Sequence, residues 1–195
     1  MPNPNHPAKG SRTTVEPIRD ERAIAKIKKA LAGQPRDLLL FTLGINNGLR
    51  AGDLLALTVG QVRGLKVGEP LAIREGKTGK TNILMLNKAS LAALKAYLEA
   101  AKPQDHEPLF SSRKGGALTT GTVNGMVKAW CRAAGLKGNY GSHSLRKTFG
   151  YHQRTRFAVG WEVLAKRFNH SSPAVTMRYL GISDSEVNGI LLNEI

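Results

Sequence analysis

The chain of 195 residues is long enough for one globular domain, and its 41% apolar content sets it apart from disordered sequences. Its longest nearly apolar run, Leu38 to Ile45, falls far short of the roughly 20 residues that span a bilayer, and the N-terminus shows no signal-peptide pattern. One cysteine, Cys131, excludes an internal disulfide and a cysteine-based zinc site, so a reducing, cytoplasmic setting away from membranes is expected.

The 29 Lys and Arg against 14 Asp and Glu leave a formal charge of +15, well beyond what solubility needs. The excess is concentrated. No acidic residue lies between Glu107 and Glu162, a stretch holding Arg113, Lys114, Lys128, Arg132, Lys137, Arg146, Lys147, Arg154 and Arg156. A polyanion is the partner this distribution predicts, because each phosphate neutralised releases counterions. A solvated basic surface, or a ribosomal or anionic-membrane contact, would share the composition.

Residues 1–18 carry four prolines and many polar groups and read as a loose arm. From Asp20, the residues Ile24, Ile27 and Leu31 form a helical stripe that Gly33 ends. Pro35 restarts a helix that Asn47-Gly48 closes, and a short helix follows from Ala51 to Leu57. Two β runs, Leu71 to Glu75 and Thr81 to Leu86, flank Gly-Lys-Thr-Gly-Lys and predict a hairpin. Helices are expected from Ala89 to Ala101 and from Thr119 to Ala134, the second with Val123, Met126, Val127 and Trp130 facing the core. His143 to Arg156 and Trp161 to Phe168 read as two more. Ser172 and Pro173 form an N-cap and first-turn pair for a helix that carries Tyr179 and stops at Gly181. A tail helix over 183–195 is expected from a Ser183/Glu186 capping box and an Ile182–Val187 staple, with Val187, Ile190 and Leu191 on one side. The expected architecture is α+β: mainly α with one small antiparallel sheet, a catalytic domain over 19–182 standing between arm and tail.

Five local signals recur in one order: Gly48-Leu49-Arg50, the hairpin Lys77, His143-Ser144-Leu145-Arg146, His170 and Tyr179. This order resembles the catalytic domain of tyrosine recombinases of the lambda-integrase type, from about residue 20 to 182. His-Ser-Leu-Arg-Lys-Thr-Phe is strongly specific, as is Asn-His-Ser-Ser-Pro followed by Met-Arg-Tyr-Leu. Gly-Leu-Arg followed by Asp53 and leucines is moderately so. The resemblance implies the fold of the DNA breaking-rejoining enzymes and site-specific recombination or integration, as in phages and mobile elements, through a 3′-phosphotyrosyl intermediate with Tyr179 as nucleophile. Arg50 and Arg146 would hold the non-bridging oxygens in forked hydrogen bonds that lysine cannot reproduce. Asp53, one turn after Arg50, would orient it.

His170 and His143 would position the phenol, accept its proton or donate to phosphate. Lys77 matches the family's general acid, with Lys80 as its rival and otherwise a phosphate contact. Arg113, Lys114, Lys128, Lys147 and Arg154 are further candidate contacts to double-stranded DNA. No metal, ATP or other cofactor is implied. Gly76-Lys77-Thr78 lacks the earlier glycine of a phosphate-binding loop, Leu71 standing there, and His143, His152 and His170 have no metal-ligand spacing.

Two departures stand out. The family usually carries a separate helical DNA-binding domain before the catalytic one, which about 18 residues cannot supply, so either a complete small enzyme or a fragment is expected, with accessory DNA-bending proteins as candidate helpers. Phe168-Asn169 precedes His170 where Leu-Gly is commoner. The acidic tail helix suggests docking on a neighbouring protomer of a homotetramer on DNA, packing on its own domain being the alternative. Two rival functions remain: a type IB topoisomerase-like enzyme, and a non-catalytic or partner-dependent DNA-binding regulator on the same fold.

Overall fold

Local caps set most of the helix ends. Helix α1 (Glu21–Ala30) starts where the Asp20 carboxylate accepts from the Arg22 amide, with Glu21 in its first turn and Lys28 and Lys29 in its last. Helix α2 (Pro35–Asn47) has Pro35 at its first position and ends on Gly48 at φ 62°. The computed structural model describes residues 14–181, 189–192 and 194.

Helix α3 (Ala51–Leu55) is two residues shorter than expected. A further helix, α4 (Val59–Arg63), follows it under a capping box in which the Gln61 side chain accepts from the Thr58 amide. Strands β1 (Pro70–Arg74) and β2 (Thr81–Met85) pair antiparallel, with Ala72 opposite Ile83 and Arg74 opposite Thr81. Helices α5 (Lys88–Ala101) and α6 (Thr120–Ala133) are capped by Asn87 and Thr119. Helix α7 (Ser142–Thr155) precedes α8 (Trp161–Arg167), and α9 (Pro173–Leu180) begins at Ser172 and ends on Gly181 at φ 75°. The mostly helical architecture with one two-stranded sheet is the one the sequence predicts.

Helix α2 is the hub. Leu39, Leu40, Phe41 and Leu43 are buried along it, and it packs on both α5 and α7. A β-carbon added to Gly44 would lie 2.7 Å from Leu145 Cδ1, so the α2–α7 crossing needs glycine there. Val123, Val127 and Cys131 carry α6 into this core. Met126 and Trp130 pack at its edge, Trp130 edge-on to Phe41 at 5.9 Å. A smaller cluster of Leu164, Phe168 and Leu180 joins α8 to α9 and receives Phe149, Trp161 and Tyr179.

Residues 14–18, expected within the arm, belong to the folded domain. Ile18 is fully buried, its amide donates to Thr148 Oγ1 at 2.8 Å, and the Glu16 amide donates to the Asn139 carbonyl. Residues 14–18 are therefore docked on the domain, because the buried Pro17 and Ile18, the half-buried Val15 and backbone pairing outweigh the polar composition around them. The rest of the expected arm lies outside the described residues. So do the Ser183/Glu186 capping box and the Ile182–Val187 contact. The described part of the tail is a 3₁₀ turn over Gly189–Leu192, with Leu191 and Leu192 exposed.

Candidate active site

Arg50 follows a turn that only glycine can make. Gly48 holds φ 62°, and an added β-carbon would stand 2.3 Å from Phe149 Cδ1. The chain then extends through Arg50, which precedes α3 and so points away from the core that Leu49 enters. Its guanidinium pairs with Glu75 Oε2 at 2.5 Å and lies 3.8 Å from Asp53 Oδ2. Asp53 was expected to be the orienting partner. It is the more distant of the two, and its Oδ1 instead accepts from the Gly76 amide at 3.0 Å, at the start of the hairpin turn.

Glu75 was not singled out by sequence reasoning. Its side chain is buried, and it accepts from Thr78 Oγ1 at 2.5 Å, Asn82 Nδ2 at 2.7 Å and Asn169 Nδ2 at 3.1 Å. Burial alone would raise its pKa. The donors from Thr78, Asn82, Arg50 and Asn169 outweigh burial and bring it down to about 2. A charged carboxylate therefore sits under the turn that carries Lys77. Lys77 itself is exposed and lines a cleft of about 630 Å³ with Arg50, Asp53, Arg74 and His143. Lys80 is exposed and is not among the cleft residues.

Arg146, in the second turn of α7, is buried at 2% exposure. One terminal nitrogen donates to the Gly48 carbonyl and the other to the Phe168 carbonyl, both at 2.7 Å, and the guanidinium stacks 4.5 Å from the Phe168 ring. It ties the turn before Arg50 to the turn before His170. A lysine has no fork to span both.

Asn169 adopts φ 54°, which asparagine tolerates, so the turn survives without the commoner glycine. His170 Nδ1 lies 2.9 Å from the buried Thr176 hydroxyl. Burial, then the charges of Arg146 and Arg50, bring the imidazole down to about 4, against the pull of Glu75. His143 stands at the cleft rim, and partial burial followed by Arg146, Lys77, Arg50 and Lys147 lowers it too. Both histidines are neutral at pH 7.

Tyr179 on α9 packs edge-on against His170 at 5.2 Å and Phe168 at 5.7 Å. Its hydroxyl is buried without an aligned hydrogen-bond partner. Burial raises the phenol pKa, while the charges of Arg146 and Arg50 oppose that rise.

The six candidate catalytic residues thus converge from five separate segments. Arg50, Lys77 and His143 line the cleft, and Arg146, His170 and Tyr179 gather around Phe168 behind it. The basic residues divide. Arg113 and Lys114 are exposed on the turn before α6, whose first residues also border the cleft, and Lys128 is exposed farther along α6. Arg154 donates to the Val159 carbonyl and lies over the Trp161 ring at 4.9 Å, bracing the α7–α8 connection. Lys147 does not fit an exposed phosphate contact. It is buried at 3%, with its ammonium 5.0 Å from the centre of the Tyr179 ring, because α7 is enclosed on that side by α9. Arg167 was also missed. Its guanidinium donates to the Asn47 carbonyl, to Asn82 Oδ1 at 2.7 Å and to the Ile83 carbonyl at 2.8 Å, fastening β2 to α2.

The pattern of the phage integrase family matches residues 19–186. The chain belongs to the phage integrase family. This recombinase is 35% identical over 174 residues to the probable integrase/recombinase YoeC of Bacillus subtilis (strain 168), an alignment covering 87% of this chain and 91% of that protein. It is 29% identical over 112 residues to tyrosine recombinase XerC of Chlamydia muridarum (strain MoPn / Nigg), covering 55% of this chain and 35% of that one. XerA recombinase superposes with a TM-score of 0.74 at 22% identity, over 95% of this chain and 68% of XerA. XerH bound to palindromic difH substrate in a post-cleavage complex gives 0.73 at 19%, over 93% and 53%. A lambda integrase tetramer bound to a Holliday junction gives 0.62 at 20%, over 89% and 50%. The recombinase is an enzyme of the tyrosine type. Among the described residues no helix is long and apolar enough to cross a membrane, and no group of three or more His, Cys, Asp and Glu is placed to hold a metal ion.

Proposed function

We propose that this recombinase breaks and rejoins double-stranded DNA at a specific site, with Tyr179 forming a 3′-phosphotyrosyl bond. The observation that carries the reading is Arg146, locked by two carbonyls beside Arg50, His170 and Tyr179. Two fixed guanidiniums suit a scissile phosphate, whose oxygens gain charge as the phosphorus is attacked. The phenolic oxygen bonds to phosphorus and its proton passes to a neutral histidine, His143 being the one at the cleft. The bond from phosphorus to the 5′-oxygen breaks, and Lys77 protonates that oxygen. Attack by a 5′-hydroxyl from the partner duplex reverses these steps. The phosphotyrosine conserves the bond, so the cycle consumes no ATP. Exchange of two strands, then of the other two, proceeds through a four-way junction, in the cytoplasm where the chain meets its DNA.

A homotetramer on DNA is the matching assembly, with the tail of each protomer as the segment suited to dock on its neighbour. The buried Tyr179 hydroxyl favours one qualification: presentation of the nucleophile is coupled to DNA or to a partner, including an accessory DNA-bending protein. Nicked duplexes tiled across the DNA flanking the gene test the reading, incubated in EDTA and quenched with detergent. A covalent adduct that maps to Tyr179 and is absent from Tyr179→Phe is the expected result. Tight binding to those duplexes without any adduct overturns self-sufficient catalysis in favour of a partner-dependent enzyme or a regulator.

A further inference from the structure

Lys77 sits between two residues whose backbone or side chain is held by a carboxylate. On one side, the Gly76 amide donates to Asp53 at 3.0 Å; on the other, the Thr78 hydroxyl donates to Glu75 at 2.5 Å. Both carboxylates also face the Arg50 guanidinium, at 3.8 and 2.5 Å. The turn is closed by its own backbone, the Gly79 amide meeting the Glu75 carbonyl at 2.8 Å and the Glu75 amide the Lys80 carbonyl at 2.9 Å. A lysine in a hairpin tip would ordinarily be a free lever. Here both of its neighbours are held by carboxylates.

The pinning extends to the histidine turn. Asn169, immediately before His170, donates through its amide to Glu75 Oε1 at 3.1 Å and to the Thr81 carbonyl at 3.3 Å, across 94 and 88 positions of sequence. Asn82 donates to the same Glu75 oxygen, and Arg167 from α8 holds Asn82 in turn. Glu75 therefore touches the hairpin, Arg50 and the His170 turn together. A carboxylate can do this because it accepts at about four lone-pair positions and donates at none. Its single bond to one Arg50 nitrogen leaves other guanidinium donors for phosphate.

We propose that Glu75, with Asn169 as its clasp, is a positioning residue that sets the Lys77 turn in register with Arg50 and His170, so that proton delivery to the leaving oxygen is matched to phosphate binding. The proposal rests on the cleavage reaction proposed above. It assigns to the Asn169 departure a compensating contact: the asparagine amide adds a direct bond from the turn to Glu75 that a glycine could not make.

The test uses single-turnover cleavage of two nicked duplexes by the full chain. One carries an ordinary scissile phosphate, the other sulfur in place of the bridging 5′-oxygen. In the second, the bond from phosphorus to sulfur breaks and a thiolate leaves without needing a proton, since thiols are far more acidic than alcohols. Asn169→Gly keeps the φ of 54° accessible while removing the clasp, so its fold is preserved, which a thermal melt checks. The expected result is a loss on the order of tenfold or more on the ordinary duplex, with most of that loss recovered on the sulfur duplex, as for Lys77→Ala. Glu75→Gln loses more on the ordinary duplex and recovers only the Lys77-dependent part, because Arg50 also loses its partner.

Equal losses on both duplexes, or a wild-type rate for a folded Asn169→Gly, overturn the clasp while wild-type adduct formation keeps the cleavage reading standing. A wild-type chain that forms no adduct on either duplex removes both.

Discussion

Glu75 makes a prediction about stability that requires no DNA. Its carboxyl is held at about 2 in the folded chain against an ordinary 4.5, so between those pH values the unfolded chain binds a proton that the folded chain refuses. Stability must then rise with pH across that window: the contribution is complete above 4.5 and is lost as pH falls toward 2. At about 1.4 kcal/mol per tenfold change, the difference between 4.5 and about 2 corresponds to about 3 kcal/mol, of which about 2 kcal/mol is gone by pH 3. Glu75→Gln cannot titrate. It also leaves Arg50 without its closest partner, so it should be less stable than wild type at pH 7 by about 3 kcal/mol, the typical cost of breaking a buried pair. Urea unfolding at pH 7, 5, 4 and 3, followed by far-ultraviolet circular dichroism, measures both curves. The gap between them should hold from pH 7 to 5 and narrow by about 2 kcal/mol at pH 3. His170, whose depressed pKa makes stability climb between about 4 and 6.5, is present in both proteins and largely cancels. Curves that stay parallel from pH 7 to pH 3 would refute the reasoning, since the buried carboxylate would then not be held ionised by its donors.

Arg146→Lys loses the fork that joins the Gly48 and Phe168 carbonyls, and adduct formation should fall on the order of 100-fold or more in single-turnover cleavage, with binding to duplex DNA little changed. Gly150→Ala places a β-carbon 2.7 Å from Phe168 and 2.8 Å from Leu180, so it should destabilise the chain by about 1–3 kcal/mol in urea unfolding by pushing α9 off α7. Arg113→Ala and Lys114→Ala should each flatten the plot of log affinity against log salt by about 1 if the exposed turn contacts phosphates, whereas Lys147→Met should leave that slope unchanged because the ammonium is buried against Tyr179.

Helix ends were legible because their causes are local. Asp20, Pro35, the Gly48 stop, Ser172-Pro173 and Gly181 act on amides and carbonyls a few positions away, and each stands where the sequence predicts. Helix α4 was missed although Thr58-x-x-Gln61 announces it, because five residues are too few to show an apolar period. The docking of residues 14–18 hinges on Ile18 with Val15 and Pro17 beside it, too few apolar side chains to stand out in a polar, proline-rich run. Glu75 reads as the ordinary last residue of a strand, and nothing near it in sequence reveals an Asn169 amide 94 positions away.

Helix α7 shows why the site was legible by motif and illegible by pattern. Ser144, Leu145, Arg146, Lys147 and Thr148 are buried in succession, so the helix is enclosed on nearly every side. A helix buried all round is normally apolar all round, and periodicity would place this one at the surface with its basic residues facing solvent. The rule does not describe this helix, and Lys147, taken as a candidate DNA contact from the concentration of charge, is buried. The rule fails because two of the enclosed positions carry cations satisfied by carbonyl oxygens and aromatic faces: Arg146 by Gly48, Phe168 and its ring, Lys147 by the ring of Tyr179. Enclosing two cations carries a desolvation cost that an apolar core would not, and functional sites are where local pattern and tertiary fold are expected to disagree. The disagreement is itself a signal. In this chain a polar helix flanked by a central apolar helix and a tyrosine-bearing one marks the candidate site more directly than the cleft that opens in front of it.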